Sequence, residues 1–235
     1  TAYQGSIGVG TLNATGSGGG AYVYAGYSIL DDNGSGVTNI NANGGTIYLN
    51  STFGAGPYSG IGISMDTGGT PGAIYASVGS GSTNGGISIR HSGNAPASVQ
   101  LTDNSTNPYE NFVEFRASGD INLTGSHSFT SYGGDIWIEA AGNLTAGGAT
   151  FAGKPSEIGL YAGNTLNVNQ SLSVSNMGGA YYPFIGLVAG STINVNGSLY
   201  SAGEIGMVAG ITPDKLDKLD TVDGPADLAS FLIST

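Results

Sequence analysis

"FIGLVAGSTINVNGSLYSAGEIGMVAG", residues 184–210, carries one phrase nearly twice. Ile185-Gly186-Leu187-Val188-Ala189-Gly190 returns as Ile205-Gly206-Met207-Val208-Ala209-Gly210, and only small and polar residues fill most of the gap. Ile158-Gly159-Leu160-Tyr161-Ala162-Gly163 is an earlier copy. The offset that carries it onto the Ile185 copy also carries Thr165-Leu166-Asn167-Val168-Asn169 onto Thr192-Ile193-Asn194-Val195-Asn196, and Ser171-Leu172 onto Ser198-Leu199. Near-repetition over such a length of chain is the signature of a structural array.

Further out, Asp135-Ile136-Trp137-Ile138-Glu139-Ala140-Ala141-Gly142-Asn143-Leu144 is a looser copy, a slightly shorter step before the Ile158 copy. Asp120-Ile121-Asn122-Leu123-Thr124, a shorter step earlier again, reads as one more. Fainter versions stand at Gly45-Thr46-Ile47-Tyr48-Leu49 and Gly86-Ile87-Ser88-Ile89. Within each unit apolar residues alternate with polar or small ones: Ile158/Leu160/Ala162, then Leu166/Val168, then Leu172/Val174. Alternation with period two denotes strands with one buried face. The runs are too short for long hairpin ladders. They suit the sides of a coil in which each strand pairs with its equivalent one turn away. The expected fold is therefore all-β, a right-handed parallel β-helix. A β-sandwich also alternates, but the alignment of strands and corners together favours the solenoid. At about 22 residues per coil, nine or ten coils at ~4.8 Å each predict a rod of roughly 45 Å. Gly and Asn supply the positive φ that sharp corners need.

"GGDIWIEAAGNLTAGG", "SEIGLYAGNTLNVNQSLSVSN" and "FIGLVAGSTINVNGSLYSAG" resemble coils of the filamentous-haemagglutinin type of secreted bacterial exoprotein, over residues 119–210. The resemblance implies a right-handed parallel β-helix and, for many members, an adhesin. Secretion domains of that family often carry Asn-Pro-Asn-Gly. Here Asn41-Ala42-Asn43-Gly44 lacks the Pro.

Residues 1–211 read as one solenoid domain, with degenerate coils in 1–110 and clearer repeats in 119–210. The N-terminal strands are Ala21-Tyr22-Val23-Tyr24-Ala25, Thr46 to Leu49, Ile61 to Met65, Ala73 to Ala76 and Ile87 to Ile89. Their tyrosines either stack along one face as a cross-coil ladder or simply cover Gly-rich backbone. Character changes at residue 212. Thr212-Pro213-Asp214 is a helix start: a capping hydroxyl, Pro at the first helical position, then an acid near the positive end. Leu216, Leu219 and Val222 follow at helical spacing, and Gly224-Pro225 stops that turn. Leu228, Phe231 and Leu232 lie on one face of a second helical stretch. Residues 212–235 are thus an amphipathic tail, expected to cap the rod or dock to a neighbour.

Charged residues make up only 9% of the chain, and five Lys plus Arg face sixteen Asp plus Glu, for a net charge of −11. That balance repels phosphate backbones and argues against nucleic acid. No apolar run approaches the roughly 18 residues of a membrane span. The chain opens on Thr1-Ala2-Tyr3-Gln4 without Met or signal peptide, the expected look of a mature, processed extracellular or cell-surface protein. There is no Cys. A long array with a continuous core does without disulfides.

Catalytic motifs are missing: there is no GxSxG, HExxH or P-loop. His91 and His127 stand apart from acids and are expected in surface loops. Many β-helices degrade polysaccharides, using clustered acids and a cation. Asp120, Asp135 and Glu139, with Arg90 and Arg116 nearby in sequence, are the candidates for that alternative. The coil-start acids Asp120, Asp135, Glu157 and Glu204 are more simply solvated corner residues. Asp31, Asp32 and Asn33 offer oxygens that suit Ca²⁺, but a plain turn needs the same residues. Asn-x-Ser/Thr occurs at Asn13, Asn33, Asn50, Asn104, Asn122, Asn143, Asn169 and Asn196, where exposure in a suitable host would permit glycosylation. Asn122, Asn167, Asn169, Asn194 and Asn196 alternatively form polar ladders along the rod. The leading expectation is an extracellular structural protein, a filament subunit or adhesin module. It would assemble head-to-tail with itself through the tail residues, meet cell-surface glycans, and need no cofactor. The alternative is a carbohydrate-active β-helix enzyme.

Overall fold

The computed structural model describes residues 5–34, 36–53, 61–80, 85–105, 111–175 and 183–211. Every strand pairing among them is parallel, and they form a β-solenoid of about seven turns. The tail residues Leu216, Leu219, Val222, Leu228, Phe231 and Leu232 lie outside the described residues.

One face runs the length of the rod. It stacks Ile7–Val9, Ile29–Asp31, Ile63–Thr70, Ile87–His91, Phe112–Ala117, Asp135–Ala140, Glu157–Ala162, Phe184–Ala189 and Glu204–Ala209, each paired with the next. The expected register holds: Ile158 sits beside Ile185 and Leu160 beside Leu187, with all four buried. Val168 sits beside Val195 on another side. A column of isoleucines, interrupted once by Val113, therefore descends inside this face from Ile7 to Ile205.

The second face stacks the later parts of Leu12–Ala25 and Ile40–Ser51, then Ala73–Val78, Ser98–Asp103, Ser128–Ser131 and Thr150–Ala152. A third side, Ile121–Leu123, Leu144–Ala146, Thr165–Val168 and Thr192–Val195, exists only in the later coils. In the early coils Ile40–Ser51 instead bends round the corner. Its first part, from Ile40 to Asn43, pairs with residues 67–70, and its second part, from Thr46 to Ser51, pairs with Ala73–Val78. Leu172–Val174 and Leu199–Ser201 make a separate pair at the C-terminal end.

The turns number about seven, not the expected nine or ten: among the described residues the long face stacks nine strands but the second face only six, so not every level closes a full turn. Asp120-Ile121-Asn122-Leu123, which reads as one more copy, is the third side of a coil, since Ile121 pairs with Leu144 rather than with an Ile-Gly-Leu position. The loops also vary: along the isoleucine column, Ile29 to Ile63 is the longest step and Ile185 to Ile205 the shortest.

The repeated phrase now has a physical meaning at each position. Ile and Leu point in. The first Gly points out beneath an aromatic ring: a Cβ on Gly159 would meet Tyr161 and Trp137, and one on Gly186 would meet Phe184. Ala162 and Ala189 are fully buried at the ends of their strands. At the final Gly adjacent coils touch, for a Cβ on Gly190 would overlap the carbonyl oxygen of Gly163, and one on Gly163 that of Ala141.

Candidate functional site

The outward side of the long face gathers charge. Asp66, Arg90, Arg116 and Glu139 occupy one column, because each holds the same register position on successive coils. Arg90 Nε binds Asp66 Oδ1 at 2.7 Å. Arg116 reaches Glu114 Oε1 at 2.6 Å through Nη2 and Glu139 Oε2 at 3.2 Å through Nη1. Ser88 Oγ donates to Glu114 Oε2 at 2.5 Å. Both arginines of the chain are thus engaged by carboxylates on one surface. Arg90 and Arg116 are register neighbours, so these acids also hold two like charges together.

The three acids marked for an enzyme do not converge. Asp135 and Glu139 lie on one strand, with Trp137 at the outward position between them. Asp120 belongs to a corner column: its backbone N–H donates to Asn94 Oδ1, and its Oδ1 accepts from the N–H and amide of Asn143. Asp135 also departs from the solvated-corner reading. Burial pushes its carboxyl above the ordinary Asp range, and Ser156 Oγ donates to it at 2.6 Å. Glu204 does sit exposed at the corner expected.

His91 and His127 are not surface-loop residues; both are buried. His91 continues the inward series Ile87, Ile89, with Thr67 Oγ1 3.1 Å from its Nδ1. His127 Nδ1 accepts from the N–H of Val99 at 3.2 Å. Burial lowers the pKa of both rings, so neutral imidazoles act here as inward-facing packing groups.

Asp31, Asp32 and Asn33 form a turn. Asp31 Oδ1 accepts from the N–H groups of Asn33 and Gly34 and from the Asn39 amide, and that last bond leads in holding its carboxyl below the ordinary range. Asn33 Oδ1 accepts from the same amide at 2.8 Å. Three N–H donors therefore converge on Asp31 Oδ1, the arrangement of a plain turn. Among the described residues no three His, Cys, Asp or Glu side chains group as metal ligands. No helix there is long and apolar enough to cross a membrane.

Of the sequon asparagines, Asn13, Asn122, Asn143, Asn169 and Asn196 are exposed, and Asn33, Asn50 and Asn104 are half-buried. The ladder reading is realised at two rungs: Asn194 donates to Asn167 and Asn196 to Asn169, each at 2.9 Å.

Sequence reasoning missed Asp103, fully buried on the second face. Its Oδ1 lies 2.9 Å from the Ser105 N–H and 2.6 Å from Ser105 Oγ, which in turn stands 2.5 Å from Asn111 Oδ1. One hydroxyl proton cannot serve two acceptors. A protonated Asp103 resolves this by donating to Ser105 Oγ, which then donates to Asn111. Burial raises the Asp103 pKa in agreement. Its folded value lies above its unfolded one, so this residue favours folding fully below pH 3.8. That contribution is lost as pH rises toward the folded value. Asp103→Asn removes this titration, so the stability of the variant relative to the unsubstituted chain should rise as pH is raised through and above the ordinary Asp range. Urea midpoints of both proteins across pH check this; His91 and His127 are common to both and cancel.

The second face is the opposite of the first. Its outward positions on residues 21–25, 46–51, 73–78 and 98–103 carry Tyr22, Tyr24, Thr46, Tyr48, Asn50, Ala73, Tyr75, Ser77, Ser98, Gln100 and Thr102, with no charge among them. Tyr22, Tyr48 and Tyr75 form a cross-coil ladder, one of the two arrangements the sequence left open. Ring centroids are 6.3 Å apart at each step, and Tyr24 stands 5.5 Å from Tyr48.

Comparison with family models, curated proteins and solved structures gave no match.

Proposed function

We propose that this chain is an extracellular structural protein: a right-handed β-helical rod that assembles head-to-tail with itself as a filament subunit or adhesin module, with residues 212–235 as a helical joint. One observation carries the reading. Among the described residues, inward positions are exposed at both ends, and the two ends differ. At the C-terminal edge Ile205 and Met207 are 42% and 56% exposed, although their equivalents Ile185 and Leu187 are fully buried. At the N-terminal edge Leu12 is 42% exposed, whereas its neighbour Ile40 is fully buried. Unlike ends with unpaired strand edges favour a heterologous contact, which yields an open fibre when its rotation does not close a ring. The apolar positions Leu216, Leu219, Val222, Leu228, Phe231 and Leu232 would add area to the joint, toward the roughly 800 Å² per partner of a specific contact.

The expected result is sedimentation of species far above 23.3 kDa at high protein concentration. Association should be stronger at moderate salt than at very low salt, because the charge of −11 must be screened. Deleting residues 212–235 should weaken association while leaving the strand signal in circular dichroism. A strictly monomeric protein, unaffected by the deletion, would reject the proposal.

A second reading, a carbohydrate-active enzyme, draws on the Glu114–Arg116–Glu139 group, where acids and a cation meet on an open sheet. Reducing-end release from a glycan, lost in Glu114→Gln and Glu139→Gln, would favour it.

A further inference from the structure

We propose that the tyrosine strip on the second face binds an uncharged polysaccharide chain lying along the rod axis. This site is separate from the assembly ends and does not depend on assembly. Tyr22, Tyr48 and Tyr75 recur once per coil, so the strip offers a row of outward rings on strands spaced by ~4.8 Å. That rise is comparable to the length of one pyranose unit in an extended chain. Tyr22 is 67% and Tyr24 41% exposed, while Tyr48 and Tyr75 are half-buried, so ring surface is open along the strip and most so at its N-terminal end. Each ring joins an apolar face to a phenolic hydroxyl, which matches the apolar faces and hydroxyl rim of a sugar. Asn50, Ser77 and Gln100 flank the rings, and their side chains make no hydrogen bond among the described residues. They are available to sugar hydroxyls.

Charge selects the ligand class. No outward residue of these four strands is charged, while both arginines lie on the other face, engaged by Asp66, Glu114 and Glu139. With no cation on the strip and a net charge of −11, a polyanion finds repulsion without compensation. A neutral glycan meets neither cost.

Affinity electrophoresis of the full chain in native gels tests this with two probes that share one backbone. Hydroxyethyl cellulose is neutral and carboxymethyl cellulose is anionic. The neutral polymer should retard the protein, and the anionic one should do so much less. The double variant Tyr22→Ala/Tyr48→Ala should bind the neutral polymer roughly tenfold more weakly. Both positions are outward, and an unchanged melting temperature shows the fold is kept. If the double variant melts early, Tyr22→Ser alone, at the most exposed position, should still weaken retardation. Absence of retardation by the neutral polymer, equal retardation of the variants, or preference for the anionic polymer overturns the proposal. So does a strip that holds two copies together instead, seen as a drop in sedimenting mass in the double variant without glucan. Deleting residues 212–235 should leave retardation intact, so failure of assembly and failure of binding are told apart.

Discussion

Leu187→Asp should unfold at least the C-terminal coils, the largest loss expected of any single substitution here. Leu187 is fully buried, with Leu160 on one side and Met207 on the other in the same inward column. Neither offers a hydrogen bond or a charge. A lone carboxylate there loses hydration without compensation, on top of the ~2–5 kcal/mol that deleting a buried Leu commonly costs. Coils hold one another by nearest-neighbour contact, so the damage should spread from residue 187 toward 211 before it reaches the N-terminal coils. Hydrogen exchange is the suitable measurement: protection should vanish at Ile185, Leu187 and Val208 and persist at Ile47 and Ile74. Leu187→Met, close in volume, should cost less than about 1.5 kcal/mol. Full protection in Leu187→Asp would mean the column is not closed at this level.

Gly190→Ala should cost nearly as much, although it adds one methyl group. The Cβ would overlap the backbone carbonyl of Gly163 on the adjacent coil, and a backbone oxygen cannot swing aside as a side chain does. The coils would have to part at this corner, where Gly190 donates its N–H to the Ala162 carbonyl at 2.9 Å. Overpacking of this kind costs about 3 kcal/mol. A lowered melting temperature should be accompanied by faster exchange at the corner. By contrast Gly10→Ala, at a position with open space around it, should be close to neutral.

Much of the architecture was legible because the phrase Ile-Gly-Leu-x-Ala-Gly repeats with its corner glycine, which sets register as well as strand type. Alternation alone cannot say which side of a coil a strand occupies, since every side alternates in the same way. That is why Asp120 to Leu123 passed for a separate coil. Ser98–Asp103 and Phe112–Ala117 alternate as well as any strand but lack a recognisable phrase. The parity of Ile87, Ile89 and His91 pointed His91 inward; residue type suggested the opposite, and parity decided. Asp103 carried the same signal from Val99 and Leu101. The charge column was half-visible: Asp66, Arg90, Arg116 and Glu139 are spaced by about one coil each. The link from Arg116 to Glu114 needed side-chain geometry. The tyrosine ladder was visible in the spacing of Tyr22, Tyr48 and Tyr75, and what remained was their common outward direction.

The bonds between coils point along the rod, whereas the chain itself winds across it. A pull on one end therefore loads a single coil at a time, and the next is untouched until the first has come away. Each release frees the whole chain of one step, roughly 70 to 120 Å when extended, from a body that rises only ~4.8 Å per coil. Such a molecule lengthens coil by coil under load; pulled from its C-terminal end, it keeps the tyrosine strip of the N-terminal coils folded until last.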